Sequence, residues 1–157
     1  MKADINQEPD QGAGQQSAAR ITPVLTELNR HFWTGGAEGV LRFLRCADCG
    51  LYLHPPGPVC RRCLSASVGV AAVSGRGHVV TYTINHQPWR PGVAVPYNIA
   101  LVELVEQPGL RLTTNLVGVA DGDIEIGMPV QVEFEQAGEI FIPVFRPAQQ
   151  ASTEGRT

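Results

Sequence analysis

The sequence predicts a mainly β protein: an N-terminal helix, a cysteine-bound metal ribbon, and then a small barrel of five or six strands. Two observations carry the prediction. The four cysteines of the chain fall in two pairs, Cys46-Ala47-Asp48-Cys49 and Cys60-Arg61-Arg62-Cys63, with ten residues between the pairs. From Val68 onward, short runs of β-branched and aromatic residues alternate with turn residues, and no helical periodicity interrupts them.

The first ordered element is predicted as a helix from Thr22 to about Trp33. Thr22 is suited to the N-cap, Pro23 to the first helical position, and Gly35-Gly36 to a stop. Leu25, Leu28 and Phe32 fall at i, i+3 and i+7 and form one apolar stripe. That stripe, with Trp33, serves either to dock the helix on its own domain or to meet a second protein, and the residues leave both readings open. Residues 1–20 and 148–157 carry almost no large apolar side chains and are predicted as disordered tails. Residues 21–66 then hold the helix and ribbon, and 67–147 the barrel.

A strand through Val40 to Arg45 leads into the first cysteine pair. In a C-x-x-C knuckle the chain turns back so that both sulfurs face one point, and two such turns build the four-sulfur shell that Zn²⁺ accepts at about 2.3 Å per bond. Gly50, leaving the first knuckle, suits a positive φ, whereas Leu64 leaves the second. Disulfides would require an oxidising compartment, and Met1–Arg20 holds no apolar stretch of the kind that directs export, which points to a cytoplasmic protein with a structural metal. Iron held by four thiolates presents the same ligand set. A closed tetrathiolate site contributes folding energy, on the order of 10–16 kcal/mol of metal binding in comparable small sites, and leaves no position for a substrate water. His54 lies within the proline-dense metal loop, and four cysteines already fill the shell. Arg42, Arg45, Arg61 and Arg62 form a basic cluster that would offset the net −2 charge of a zinc tetrathiolate or grip a phosphorylated or acidic partner.

The strands of the second half are predicted at Val68–Val73, Gly77–Asn85, Tyr97–Glu106, Arg111–Val119, Pro129–Glu135 and Phe141–Phe145. Five or six short strands in about 80 residues are most economically closed as an OB-like barrel, with Gly75 and Gly77 suited to a bulge or sharp strand entry. A formal charge of −3 argues against a nucleic-acid partner, although ribbon plus barrel is also an architecture for single-stranded nucleic acid. No stretch approaches the ~18 apolar residues of a membrane span.

Four segments in order, Gly75 to Thr83 (GRGHVVTYT), Pro96 to Leu104 (PYNIALVEL), Ile126 to Val130 (IGMPV) and Ile142 to Phe145 (IPVF), together with the ribbon before them, resemble the DUF35 family over residues 30–147. The resemblance implies a rubredoxin-like zinc ribbon followed by an OB-fold. It also implies a role: a small, non-catalytic companion of a thiolase-fold enzyme, arranged as a heterotetramer around that enzyme's dimer and handling coenzyme A thioesters with it. Acyl transfer, condensation to hydroxymethylglutaryl-CoA and retro-aldol cleavage of CoA-activated steroid side chains are the family settings. In such an assembly the barrel contributes to the CoA channel, and the ribbon and helix dock on the partner. Candidate contacts to CoA are Arg76, His86, Arg90 and Tyr97; candidate partner contacts are Leu28, Phe32, Trp33 and Trp89. His78, Tyr82 and Glu103 read as strand residues, and with every cysteine committed to metal no nucleophile–base arrangement can be assembled locally.

Overall fold

The computed structural model describes residues 21–89 and 91–148; the two predicted tails and Arg90 lie outside them. The helix is much shorter than predicted: α1 spans Arg30–Thr34 only. Its start is displaced because Asn29 competes for the preceding backbone. The Asn29 carboxamide accepts from the Thr26 N–H at 2.7 Å and donates to the Val24 carbonyl at 3.0 Å. The segment is thereby held in a local turn instead of helix. Glycine does not stop the chain abruptly either, since α1 tightens into a 3₁₀ turn over Gly35–Glu38 that ends at Gly39 with φ 69°.

Three strands then form the ribbon sheet: β1 Arg42–Cys46, β2 Tyr52–Leu53 and β3 Val68–Ala72, in the order β2-β1-β3 and antiparallel throughout. The pleat of β1 sends neighbouring residues to opposite faces. Phe43 enters the barrel-side core with Phe32, Leu41 and Val79, while Leu44 and Cys46 join Leu51, Leu53 and Cys60 in a separate ribbon core. One strand therefore serves two cores, and this ties the metal module to the barrel.

Five strands build the barrel: β4 Arg76–Asn85, β5 Tyr97–Leu104, β6 Arg111–Thr114, β7 Pro129–Ala137 and β8 Ile140–Pro147, ordered β6-β5-β4-β7-β8. The sixth predicted strand is β3, which pairs in the ribbon. Closure comes just beyond β6, where Leu116 forms a parallel bridge with Phe145, the Val117 N–H donates to the Phe145 carbonyl and the Phe145 N–H to the Asn115 carbonyl. A near-closed five-stranded barrel whose third and fifth strands meet in parallel is the OB arrangement. Inward positions alternate as the pleat requires: Asn98, Ala100, Val102 and Leu104 on β5 are all buried. Gly75 turns the chain into β4 at φ 72°, and at Gly77 a Cβ would come within 2.5 Å of the Glu103 carbonyl oxygen. The bulge itself sits further on, between Val79 and Thr81.

Two polar side chains complete what the ladders leave open. Asn98, 8% exposed, donates to the Leu116 carbonyl at 3.0 Å and accepts from the Leu116 N–H at 2.6 Å, so its amide stands in for a strand neighbour at the closure. Gln107, in the β5–β6 turn, accepts from the Tyr52 N–H at 2.8 Å and donates to the Tyr52 carbonyl at 3.2 Å. It caps the outer edge of β2 and fastens the barrel to the ribbon.

Candidate metal centre and partner surface

Each cysteine pair sits on a turn closed by the same two main-chain bonds. In the first knuckle the Gly50 N–H donates to the Cys46 carbonyl at 3.0 Å and the Cys46 N–H to the Leu51 carbonyl at 2.9 Å. In the second, the Leu64 N–H donates to the Cys60 carbonyl at 2.9 Å and the Cys60 N–H to the Ser65 carbonyl at 2.8 Å. The turn needs a left-handed residue at its fifth position. Gly50 takes it at φ 73°, and Leu64 takes it at φ 60° despite its side chain. The second knuckle thus reaches the same geometry as the first with a residue that disfavours it.

All four Sγ atoms lie within 4.8 Å of one another, with Cys46–Cys63 at 3.6 Å and Cys49–Cys60 at 3.5 Å. A tetrahedral ion with 2.3 Å bonds to sulfur requires edges of about 3.8 Å, whereas a disulfide requires about 2.05 Å. The shell therefore fits a structural zinc ion held by Cys46, Cys49, Cys60 and Cys63, and its sulfurs stand too far apart for disulfides. Crowding splits their acidities. The Cys63 N–H, and then that of Arg62, pull the Cys60 thiol down to about 6. The Cys63 thiol is eased by the Ser65 N–H, yet its contacts with Cys46, burial and the other two sulfurs push it up to about 12. Such a set gives up its remaining protons to a metal.

His54 is not part of the sulfur cluster. Its ring stacks on Phe32 at 5.4 Å and meets Phe43 edge-on at 5.3 Å. Burial, and then the Arg61 charge, hold its pKa below the ordinary histidine value. The basic cluster is also dispersed. Arg42 is spent on Glu38 at 2.7 Å, and Arg61 donates to the His54 carbonyl. Arg45 alone lies against the first knuckle, donating to the Gly50 carbonyl at 3.1 Å and resting over the Tyr52 ring.

The predicted partner residues divide. Phe32 is 6% exposed and belongs to the core, packed against Trp33, Phe43 and His54, so it is not a surface anchor. The aromatic cluster that holds the ribbon loop to the barrel claims it. Trp33 is half-buried on the same core. Leu28, by contrast, is exposed, as are Ile21 and Val24 before it, and Trp89 is 75% exposed. The Trp89 indole is held in place by its Nε1–H, which donates to the Asn85 Oδ1 at 2.9 Å, while the Asn85 amide donates to the Gln87 carbonyl at 2.7 Å.

The described residues among the predicted CoA contacts, Arg76, His86 and Tyr97, fall at two ends of the barrel. His86 is exposed just beyond β4, and Tyr97 pairs with Asn85 at the start of β5, so these two share the hairpin end with Trp89. Arg76 opens β4, nine residues from Asn85, about 30 Å away at a strand's rise. His78 and Glu103 face each other across β4 and β5. Glu103 is held below the usual carboxylate range by its hydrogen bond to Arg111, at 2.7 Å, and by the Gly109 N–H. Asn98 and Gln107 are not among the site residues that the sequence predicts. Asn98 carried a signal, a polar residue in phase with Val102 and Leu104 on a predicted strand; Gln107 carried none. Among the described residues no helix is long and apolar enough to cross a membrane.

Two family models match the chain in succession: the ChsH2 rubredoxin-like zinc ribbon domain over residues 33–69 and the ChsH2 C-terminal OB-fold domain over 70–135. A probable enoyl-CoA hydratase alpha subunit of Thermomonospora curvata is 41% identical over 140 residues, 88% of this chain and 43% of that one. The 3-oxo-4,17-pregnadiene-20-carboxyl-CoA hydratase alpha subunit of Mycobacterium tuberculosis is 37% identical over 74% of this chain and 36% of its own length. The chain thus spans less than half of these two relatives. It covers 68% of a DUF35 domain-containing scaffold protein of Methanocaldococcus jannaschii at 34% identity, over 61% of its own length. Among solved structures, a chain of an Ltp2-ChsH2(DUF35) aldolase superposes with a TM-score of 0.72 at 41% identity, covering 80% of this chain and 98% of that one.

Proposed function

The chain belongs to the DUF35 family, and from that premise we propose that it is a non-catalytic accessory subunit that binds a thiolase-fold enzyme and helps to form its acyl-CoA site, in a retro-aldolase or acyltransferase complex. The observation that carries the reading is Trp89. A tryptophan held three-quarters exposed by a dedicated hydrogen bond to Asn85 is pre-organised for a contact outside its own chain. Interface energy concentrates in such aromatic anchors, and fixing the ring before binding lowers the entropy lost on association. Exposed Leu28, with Ile21 and Val24, adds a second apolar surface ahead of the ribbon.

In this reading the metal has no part in the chemistry. Zinc would hold the two knuckles and through them β1, the strand shared by both cores, while the partner supplies the catalytic residues. His86 and Tyr97, beside Trp89, are the proposed contacts to the CoA thioester; Arg76, at the far end of β4, belongs to a different surface. A heterotetramer built around the enzyme's dimer, in the cytoplasm, is the proposed assembly. CoA-activated steroid side chains are the first substrates to test, because one hydratase relative carries a steroid CoA thioester in its name.

The test is to purify the tagged chain from its native host, identify the enzyme bound to it, and measure binding of that enzyme to wild type, Trp89→Ala and Leu28→Ala. A hot-spot tryptophan predicts a loss of at least ~2 kcal/mol in affinity, with the unfolding temperature unchanged. Equal affinity in all three proteins would refute the proposed surface.

A further inference from the structure

The four metal ligands are not equivalent toward solvent. Cys46 and Cys60 are buried, Cys49 is half-buried, and Cys63 is exposed. The difference comes from where each knuckle sits. The first follows β1, and Cys46 is the last residue of that strand, paired with Val68 and 1% exposed. The second lies on no strand. Arg61, Arg62, Cys63 and Leu64 are all exposed, and Leu64 completes the turn in the left-handed conformation that its side chain disfavours.

Charge separates the two outer sulfurs as well. Asp48 precedes Cys49, whereas Arg61 and Arg62 precede Cys63. Cysteines that react with oxidants are thiolates in electropositive, partly exposed surroundings, and a metal keeps its coordinating thiols deprotonated. Of the four ligands Cys63 meets these conditions best. The sulfur beside it is fixed too: Cys63 Sγ stands 3.6 Å from Cys46 Sγ, and the contact of Cys49 with Cys60 at 3.5 Å likewise crosses from one knuckle to the other. A disulfide of about 2.05 Å between Cys63 and Cys46 calls for an approach of about 1.5 Å. The exposed second knuckle supplies that movement while Cys46 stays in the sheet.

We infer that Cys63 is an oxidation site, the point at which a peroxide opens the metal centre. The Cys63 thiolate attacks one oxygen of hydrogen peroxide. An S–O bond forms, the O–O bond breaks and hydroxide leaves, so the sulfur is oxidised by two electrons to a sulfenic acid. The Cys46 thiolate then attacks that sulfur and displaces a second hydroxide, forming the Cys46–Cys63 disulfide. Two thiolates and one peroxide thus give one disulfide and two hydroxides. Cys49 and Cys60 alone remain for the ion, too few for a site that uses all four sulfurs, and zinc is released. The new bond ties the second knuckle to β1, so a dithiol reductant and zinc restore the original shell. In a reducing compartment such a disulfide is transient, as redox-sensing ones are.

Peroxide titration of the zinc-loaded full chain tests it. Released zinc is read with a chromogenic chelator, disulfides are mapped by peptide mass spectrometry, and sulfenic acid is trapped with dimedone in a parallel sample. One equivalent of hydrogen peroxide is expected to release one zinc, to place dimedone first on Cys63, and to yield the Cys46–Cys63 peptide pair. A dithiol with added zinc is expected to restore the starting mass and metal content. Cys63→His keeps a metal shell, since zinc accepts three cysteines and a histidine, and removes the exposed sulfur; its zinc release is expected to slow by about tenfold or more. Cys49→His, the control at the half-buried position, is expected to lose zinc at the wild-type rate. Dimedone first on any other cysteine, a Cys60–Cys63 disulfide, zinc retained through excess peroxide, or wild-type zinc loss from Cys63→His overturns the inference. Where the histidine variants do not hold zinc, the wild-type mapping decides it alone.

Discussion

Replacing Asn98 by Leu isolates the closure of the barrel. The two side chains are nearly isosteric, so the substitution leaves little cavity and removes the amide that serves the Leu116 main chain at 3.0 and 2.6 Å, with a longer bond to the Asp121 carboxylate at 3.4 Å. Both the Leu116 N–H and C=O then lose their partner in a site where Asn98 is 8% and Leu116 4% exposed. A buried polar group left unsatisfied costs about 1–3 kcal/mol. Two of them cost about 2–6, offset by about 1–2 kcal/mol from burying a leucine in place of an amide. The expected net loss is about 3 kcal/mol. Unfolding is followed in urea by far-UV circular dichroism, with zinc measured in the same sample so that a lost metal is not mistaken for a weakened barrel. At about 4–8 °C per kcal/mol for a domain of this size, the unfolding temperature falls by roughly 12–24 °C. Asn98→Leu with a loss below about 1 kcal/mol would refute the idea that this amide closes the barrel.

Leu64→Gly relieves a left-handed leucine that is 78% exposed and so loses little burial. The relief of roughly 1–2 kcal/mol exceeds the 0.5–1 kcal/mol of chain entropy that glycine costs, and the zinc-loaded protein gains about 0.5–1 kcal/mol by thermal unfolding. Removing zinc with a chelator, or making Cys63→Ser, unfolds the ribbon, read as loss of protection at β1 to β3 in hydrogen exchange; normal stability without metal would contradict a structural role. Burial holds both His54 and His31 below their ordinary 6.5. Their neutral forms are the ones folded, so the stability they contribute is complete above pH 6.5 and is lost as pH falls from there through the lowered folded values. Urea midpoints measured across that window decline in the wild type and decline less in His54→Leu; an unchanged slope would show that the Phe32–His54–Phe43 cluster tolerates the imidazolium.

What was legible in the sequence was whatever depends on short spacing. Two C-x-x-C pairs specify a four-sulfur shell, Gly50 marks the residue that leaves the first knuckle, and alternation places Val102 and Leu104 inside the barrel. What was not legible depends on partners distant in the chain. The predicted strand through Val119 ends at Thr114, yet Leu112, Thr114 and Leu116 remain buried in alternation. The pleat continues while the hydrogen-bond partner changes from β5 to β8, and periodicity reads only the pleat. The sequence predicts a longer helix than forms because Thr22 and Pro23 are good start signals, while the Asn29 bonds to Val24 and Thr26 offer the backbone a local alternative. Two-residue β2 is too short to carry a pattern, and its edge is completed by Gln107, 55 residues further along. Phe32 shows the same limit from the other side: a stripe at helical spacing does not say whether core or partner covers it.

On the proposed reading this chain works only as the companion of an enzyme. Native mass spectrometry of the complex purified from the host tests it most directly, because one spectrum gives the partner's mass, the subunit ratio and the bound metal. The expected result is equal numbers of this chain and a thiolase-fold enzyme, one zinc per copy of this chain, and acyl-CoA turnover by the complex but by neither protein alone. A monomer that carries its zinc, binds no enzyme and turns over an acyl-CoA by itself would contradict it.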